Sequence, residues 1–328
     1  MGRGNEYMFL YISVIHRIAF WVVAFIFSSL VQAASWILPP TDVDLFGQIK
    51  TIPANRDETL LDVARRFGMG QDEMMLANPT VDRWLPEEGA EIILPTRYII
   101  PQADRVGFII NLPEMRLYYF PKPIKGKKPV VITHPISIGR MDWRTPLGKT
   151  SVVRKQKDPT WIPPQSIKDE AIAAGDPPPP SIVLPGPDNP LGRHAIYLGT
   201  AGYLIHGTDK PFGIGMRVTH GCLRMYPEDI EALFDKVAVG TPVQLLNQPI
   251  KIGWLADSLF IELHPPLDED EAEYVDYGQK VRNVIANFIE KTTTEKGASH
   301  ARRNIEIDQS ALELAIFERN GAPILISK

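Results

Sequence analysis

The chain has 328 residues, which is too long for one small core and indicates two or three modules. Its content of 44% hydrophobic and 23% charged residues is ordinary for a globular protein, and its net charge of −4 provides no basic field that would favour nucleic acid. The 30 prolines favour turns and extended segments and argue against a helical bundle.

The N-terminal residues 1–33 have the pattern of an export signal. A basic segment precedes the apolar run 18–30, and the small residues after this run predict cleavage after Ala33. The alternative is an uncleaved inner-membrane anchor, in which a preceding apolar stretch joins the run. The true start is open between Met1 and Met8. Both interpretations place the mature protein in the periplasm.

Residues 34–46 are expected to be an extended linker, and residues 47–96 a compact module. The pattern of this module predicts the order strand, helix, helix, strand, with a first helix that is capped near Thr59 and ends at Gly68. This helix, the segment Ala77-Asn78-Pro79 and a final Ile-Ile-Leu-Pro run resemble a LysM module, which binds the N-acetylglucosamine-containing glycan of peptidoglycan or chitin. The alternative is a structural cap on the next domain that binds nothing.

Residues 97–247 contain short alternating apolar runs, which predict a mostly β domain with a sandwich or barrel-like core. One helix, from Pro227 to Val237, is expected to pack on this core because its apolar residues share one face. The segment 157–193 is rich in proline and is expected to be an irregular lid or binding loop. A passive surface excursion is the alternative for this segment.

Residues 248–328 predict a small C-terminal α/β extension with a hairpin and helices over 277–291 and 309–317. The expected fold class of the whole chain is therefore mostly β with α+β additions. It consists of a β-rich domain with one packed helix, between a small βααβ module and the α/β extension. The tryptophans expected to pack in the fold, rather than to bind sugars, are Trp84, Trp143, Trp161 and Trp254.

The single cysteine, Cys222, lies in the motif Thr219-His220-Gly221-Cys222-Leu223-Arg224, and another histidine, His206, lies shortly before this motif. An exported domain that uses cysteine for stability carries an even number of cysteines, so a lone thiol indicates a nucleophile. A buried structural thiol is the alternative. Sulfur attacks as the thiolate, and a nearby imidazole or arginine makes that form accessible near neutral pH.

A thiolate that attacks a carbonyl needs a base, donors for the oxyanion and a group that orients the base. A strand that ends at His206 would bring its imidazole to the rim of a site, where the backbone carbonyl of Gly207 could fix the tautomer. Gly221 permits a sharp turn, so that the N–H groups of Gly221 and Cys222 could point at the oxyanion. Arg224 would share a face with Cys222 and could lower the thiol pKa or hold a substrate carboxylate.

These motifs, together with the sequences at 185–192 and 205–208, resemble the bacterial L,D-transpeptidases of the cell wall, and the LysM-like module fits the enterobacterial type. The resemblance spans residues 100–247. It implies a β-rich catalytic domain whose cysteine attacks the amide between diaminopimelate and the terminal D-alanine of a stem tetrapeptide. D-Alanine then leaves, and an amine resolves the thioester.

The resemblance makes Cys222 the nucleophile, His206 the general acid/base and Gly207 the source of the carbonyl that orients His206. It implies oxyanion donors at Gly221 and Cys222, and neither a cofactor nor a metal is expected. Some family members have serine where this chain has Gly207, which leaves the third catalytic role open. The residues implied to support the site or to bind substrate are His220, Arg224 and Thr219.

The acceptor amine is open. Diaminopimelate of another stem peptide would give a direct crosslink, whereas a lysine of an outer-membrane lipoprotein would anchor that protein to the wall. An L,D-carboxypeptidase with the same site and a non-catalytic peptidoglycan-binding protein are alternatives. A further alternative is a zinc site formed by His206, His220 and Cys222, with His134 or His194 as the fourth ligand.

Overall fold

The computed structural model describes residues 34–294, 302 and 304–328, so the predicted export signal at residues 1–33 lies outside the described residues. The described residues belong to one compact unit of the chain. Within this part of the chain, no helix is both long enough and apolar enough to cross a membrane.

Residues 34–46, expected to be an extended linker, contain two short strands that pair with other parts of the chain. Strand β1 (Ala34–Ile37) pairs antiparallel with a later strand and forms one edge of the main sheet, and strand β2 (Leu45–Gly47) is also paired. The physical reason is burial of aromatic surface, because Trp36 and Phe46 pack in one cluster under the sheet.

The N-terminal module has the predicted βααβ order and an apolar core of its own. Thr59 caps its first helix reciprocally, since its hydroxyl accepts from the Asp62 N–H at 3.1 Å and the Asp62 carboxylate accepts from the Thr59 N–H at 3.0 Å. Glycan binding by this module stays a prediction. Its elements are β3 (Lys50–Pro53), α1 (Leu60–Arg66), α2 (Gln71–Ala77) and β4 (Glu91–Leu94).

The central domain is built on one nine-stranded sheet, which confirms the mostly β prediction. The strands of the central domain, including three that pair outside this sheet, are β5 (Arg97–Ile99), β6 (Gly107–Asn111), β7 (Arg116–Phe120), β8 (Val130–Pro135), β9 (Ile138–Gly139), β10 (Gly148–Lys157), β11 (His194–Leu198), β12 (Leu204–His206), β13 (Arg217–Thr219), β14 (Leu223–Arg224) and β15 (Pro242–Leu246). Its helices are α3 (Gln165–Ala173), α4 (Pro227–Phe234) and a 3₁₀ turn (Pro211–Gly213). The order across the sheet is β1-β8-β7-β6-β15-β10-β11-β12-β14, with parallel pairing at β6/β15 and β12/β14.

The proline-rich segment 157–193 contains helix α3, which the sequence analysis did not predict. Residues 165–173 are mostly good helix formers, and Pro163-Pro164 stand just before them, where proline does not disturb a helix. The expectation that the whole segment is irregular was therefore wrong, because its prolines flank the helix instead of interrupting it. Helix α3 buries none of its residues, so contacts of individual side chains decide its position.

The C-terminal extension is a three-stranded antiparallel sheet covered by two helices, and both predicted helices are confirmed. Trp254 is buried in the core between them, as expected for a packing residue. The elements are β16 (Ile250–Leu255), β17 (Ser258–Leu263), a 3₁₀ helix (Asp268–Tyr274), α5 (Tyr277–Thr294), α6 (Gln309–Glu318) and β18 (Ile324–Leu325).

A buried ion pair joins the N-terminal module to the central sheet. The guanidinium of Arg116, on β7, pairs with the carboxylate of Glu73, on α2, and lies over the ring of Tyr98 at 4.4 Å. The same carboxylate accepts from the Gly70 N–H at 3.0 Å, which caps α2. The side chain of Arg116 is 1% exposed, so its charge depends on Glu73 for compensation.

We expect Glu73→Ala to lower the free energy of unfolding by about 3–5 kcal/mol, because it leaves the charge of Arg116 buried without its partner. Urea unfolding followed by fluorescence measures this loss. The control is Glu88→Ala, which removes the exposed partner of Arg56 and should change the free energy by about 1 kcal/mol at most. Equal effects of the two substitutions would contradict the structural role of Glu73.

Candidate active site

The parallel pairing of β12 with β14 sorts the residues of the two motifs onto two faces. Ile205 is paired with Leu223, and both side chains are buried in the core. His206 is paired with Arg224, and both line a cavity on the opposite face. Because side chains alternate along a strand, Cys222 falls on the same face as Arg224. The sequence therefore brings a thiol, an imidazole and a guanidinium to one cavity wall, as predicted for Cys222 and Arg224.

The cavity has a volume of about 520 Å³, and parts of the chain that lie far apart in sequence form its walls. The motif residues provide one wall, strands β10 and β11 another, and the proline-rich segment a third. Two tryptophans that we expected to serve only in packing, Trp143 and Trp161, line it as well. Among the other residues of the wall are Arg154, Gln156, Tyr197, Ile162 and Ile167.

Cys222 is a free, partly exposed thiol. Its Sγ lies 3.6 Å from the carbonyl oxygen of Gly202 and donates to that oxygen, not to the imidazole of His206. Burial raises the thiol pKa, while the backbone at Leu204 and the charge of Arg224 act in the opposite direction. The thiol is thus protonated at rest, and a base would have to remove its proton before the sulfur could act as a nucleophile.

His206 is buried and is held through its Nδ1 atom, which lies 2.7 Å from the carbonyl oxygen of Gly207. Burial, and next the charge of Arg224, lower the pKa of His206 to about 3. The ring is therefore neutral at physiological pH. A carbonyl only accepts, so Nδ1 carries the proton and Nε2 is left as the acceptor. This geometry agrees with the orienting contact expected of Gly207, whose catalytic role stays a prediction.

The turn before Cys222 requires glycine at position 221. Gly221 has a φ of +96°, and a Cβ atom there would lie 2.9 Å from Cε1 of Tyr203. The Gly221 N–H donates to the Thr219 hydroxyl at 3.2 Å, and this hydroxyl donates to the Cys222 carbonyl at 2.6 Å. The expected oxyanion donor at Gly221 is thus already engaged. Thr219, expected to bind substrate, has its hydroxyl occupied in shaping the loop.

His220 belongs to a polar cluster that no motif of the sequence indicates. Its Nε2 lies 2.7 Å from the carboxylate of Glu170 on helix α3, and Arg140 pairs with the same carboxylate. The ring of Trp143 stands edge-on to that of His220 at 5.1 Å. Recognition of the helix at 165–173 was the one signal that could have pointed to Glu170, since no motif marks this residue.

The alternative of a zinc site at His206, His220 and Cys222 finds no support in the geometry. Among the described residues, the ligand atoms close enough to share one ion belong to a different group, Glu114, Glu262 and His264. His134, a suggested fourth ligand, is buried against Asp229 at 3.1 Å. His194, the other, packs against the ring of Phe234 at 4.8 Å.

The group of Glu114, Glu262 and His264 already contains a cation of the protein itself. The Nζ atom of Lys251 lies 2.5 Å from an oxygen of Glu114 and 2.5 Å from an oxygen of Glu262, and it also donates to the Ile99 carbonyl at 2.8 Å. The ammonium occupies the place that a metal ion would need. This buried cluster therefore joins the C-terminal extension to the central domain by ion pairing.

We expect Arg224→Met to slow alkylation of Cys222 by iodoacetamide at pH 7 by about 3- to 10-fold. Arg224 favours the thiolate, so its removal raises the thiol pKa and lowers the thiolate fraction at every pH below that pKa. The difference in alkylation rate between wild type and variant should vanish at a pH where Cys222 is ionised in both proteins. The single cysteine makes the rate specific to this site.

The control for this measurement is Arg154→Met, which removes another cation of the cavity wall. The guanidinium of Arg154 stacks on the ring of Tyr197 at 3.6 Å and is not among the groups that shift the pKa of Cys222. Equal slowing in both variants would show that general cavity charge, not Arg224, favours the thiolate.

Comparison with known proteins matches residues 105–245 of this chain to the family described as YkuD, L,D-transpeptidase catalytic domain. The chain is 40% identical over 313 residues to the probable L,D-transpeptidase YbiS of Escherichia coli K12, covering 94% of this chain and 96% of that protein. It is 39% identical over 302 residues to the probable L,D-transpeptidase ErfK/SrfK of Salmonella typhimurium, covering 90% and 92%. The crystal structure of L,D-transpeptidase 3 from Mycobacterium tuberculosis is similar to it at 18% identity and a TM-score of 0.31, covering 50% of this chain and 73% of that chain. The similarity to the two bacterial relatives extends beyond the central domain into the flanking modules.

Proposed function

The chain belongs to the L,D-transpeptidase family, and on that premise we propose that Cys222 carries a stem-peptide acyl group as a thioester in the periplasm. The donor is a stem tetrapeptide of peptidoglycan, and D-alanine is the leaving group. The observation that carries this proposal is the common cavity face of Cys222 and His206, which the β12/β14 pair imposes.

In the first proposed step, His206 Nε2 takes the thiol proton and the sulfur of Cys222 attacks the carbonyl between diaminopimelate and D-alanine. The neutral ring and the anchored Nδ1 support this role. The N–H of Cys222 is the remaining candidate donor for the oxyanion, because the Gly221 N–H is engaged. The imidazolium then returns the proton to the amide nitrogen, the C–N bond breaks and D-alanine leaves.

In the second step, an amine attacks the thioester carbonyl and gives a proton to His206, the C–S bond breaks, and His206 returns the proton to sulfur, which regenerates the thiol of Cys222. We propose an amine acceptor, either diaminopimelate of another stem peptide or a lysine of an outer-membrane lipoprotein. Water in the same step would make the enzyme an L,D-carboxypeptidase. The candidate wall-binding module at residues 47–96 would hold the enzyme near its substrate by contact with the glycan.

Arg224 is proposed to bind a carboxylate of the donor. Within the part of the chain that the structure describes, its Nε atom is buried without a hydrogen-bond partner, and burial lowers the pKa of the guanidinium while the charge of Asp209 raises it. A buried cation of this kind favours a carboxylate ligand, which a planar guanidinium can bind with two parallel hydrogen bonds. Stem peptides supply such carboxylates at diaminopimelate and at the terminal D-alanine.

We expect Cys222→Ala to abolish release of D-alanine from a stem tetrapeptide, because no nucleophile remains. His206→Gln should lower kcat/KM by about 10²- to 10⁴-fold, as for loss of a general base, without unfolding the protein. Coupled assay of D-alanine measures both. Near-normal turnover in His206→Gln would assign the base to another residue.

Product analysis decides between acyl transfer and hydrolysis. Mass spectrometry of a reaction with the tetrapeptide and a second, amine-bearing stem peptide should show a crosslinked product in excess over free tripeptide. A parallel reaction with a lysine-terminated peptide measures preference between the two acceptor classes. Free tripeptide alone in both reactions would favour the carboxypeptidase.

A further inference from the structure

Helix α3 belongs to one wall of the cavity, and a single side chain connects this helix to the loop that precedes Cys222. Within the described residues, the hydrogen bonds and ion pairs that connect helix α3 to residues outside the proline-rich segment all involve Glu170. In the described part of the chain, the neighbouring carboxylate of Asp169 accepts only from Gln165 of the same helix, at 2.8 Å. Helix α3 also buries no residue, so no apolar core holds it in place.

Glu170 has two partners, His220 and Arg140, and His220 lines the cavity. The Nε2 atom of His220 lies 2.7 Å from the carboxylate. His220 stands two positions before Cys222, in the turn that Gly221 forms. Arg140 follows β9, pairs with the carboxylate and lies 3.4 Å from the same Nε2. Hydrogen bonds from Arg140 and His220 lower the pKa of Glu170, so it remains a carboxylate at neutral pH.

Hydrogen bonds within the proline-rich segment connect its first part to its last part. The Nδ2 atom of Asn189 donates to the carbonyl of Pro159 at 2.8 Å, and the backbones of Trp161 and Val183 exchange hydrogen bonds at 2.8 and 2.9 Å. The same segment contributes Trp161, Ile162 and Ile167 to the cavity wall. Displacement of α3 would therefore move apolar surface that faces the donor peptide.

We propose that Glu170 is a positioning residue, which holds helix α3 over the cavity and fixes the ring of His220, so that closing the cavity wall and ordering the Cys222 loop are one event. This inference rests on the proposed function for its effect on turnover. Glu170 itself touches no reacting atom. It acts through His220 on the loop and through α3 on the wall.

The test compares the full-length Glu170→Ala and Glu170→Gln proteins with wild type and with Asp169→Asn as the matched control. Three quantities are measured: amide hydrogen exchange of residues 165–173, the rate of Cys222 alkylation by iodoacetamide, and kcat and KM for the donor tetrapeptide. Near-ultraviolet circular dichroism verifies that each variant is folded, and Glu170→Gln, which keeps an acceptor for His220, replaces Glu170→Ala if the latter unfolds.

In Glu170→Ala we expect exchange in α3 to become about tenfold faster, and Cys222 alkylation to become several-fold faster because the wall opens. We expect kcat/KM to fall about tenfold or more, with KM raised by the displaced wall and kcat lowered by the unrestrained His220. Glu170→Gln should lie between Glu170→Ala and wild type, and Asp169→Asn should match wild type.

Wild-type exchange and kinetics in a folded Glu170→Ala protein would overturn the inference. Faster exchange with an unchanged kcat/KM would overturn the positioning role, since α3 would then be held without effect on the reaction. If the wild-type enzyme itself releases no D-alanine, the proposed function fails. The rates of hydrogen exchange in α3 and of Cys222 alkylation then still show whether Glu170 holds α3 in place and shields Cys222.

Discussion

The parallel pairing of β12 with β14 determines which residues face the cavity. It places His206 beside Arg224 and sends Ile205 and Leu223 into the core, so burial of two aliphatic side chains fixes where the polar ones point. A slip of one residue in either strand would exchange the two faces. Packing in the core of the domain, and not a ligand in the cavity, therefore sets the positions of these polar groups.

The pKa shifts of Cys222 and His206 follow from this placement. Arg224 favours the thiolate of Cys222 but opposes the imidazolium of His206, and burial keeps both reactive groups neutral in the free enzyme. In the proposed mechanism the thiol and the imidazole are both neutral at the start, so a proton has to pass from sulfur to the ring during the reaction. A carboxylate bound by Arg224 would offset its positive charge and ease protonation of His206, which couples donor binding to base strength.

Local sequence patterns predicted much of this fold. Helix caps and apolar spacing gave the βααβ module and the C-terminal helices, and strand alternation placed Arg224 on the face of Cys222. Features that depend on distant partners had no such signal. The pairing of β1 with β8 arises from long-range burial, and Glu170 meets His220 only after the chain has folded. The Gly221 N–H was expected to point at the oxyanion, and its hydrogen bond to the Thr219 hydroxyl depends on loop dihedrals that no local pattern indicates.

In the proposed reaction one sulfur atom, that of Cys222, carries the acyl group. The most direct test is acid quenching of wild-type enzyme during turnover of a stem tetrapeptide, followed by intact-protein mass spectrometry and peptide mapping. We expect an added mass equal to that of the tetrapeptide minus D-alanine, located on Cys222. Release of D-alanine with no adduct on Cys222, or an adduct on another residue, would contradict it.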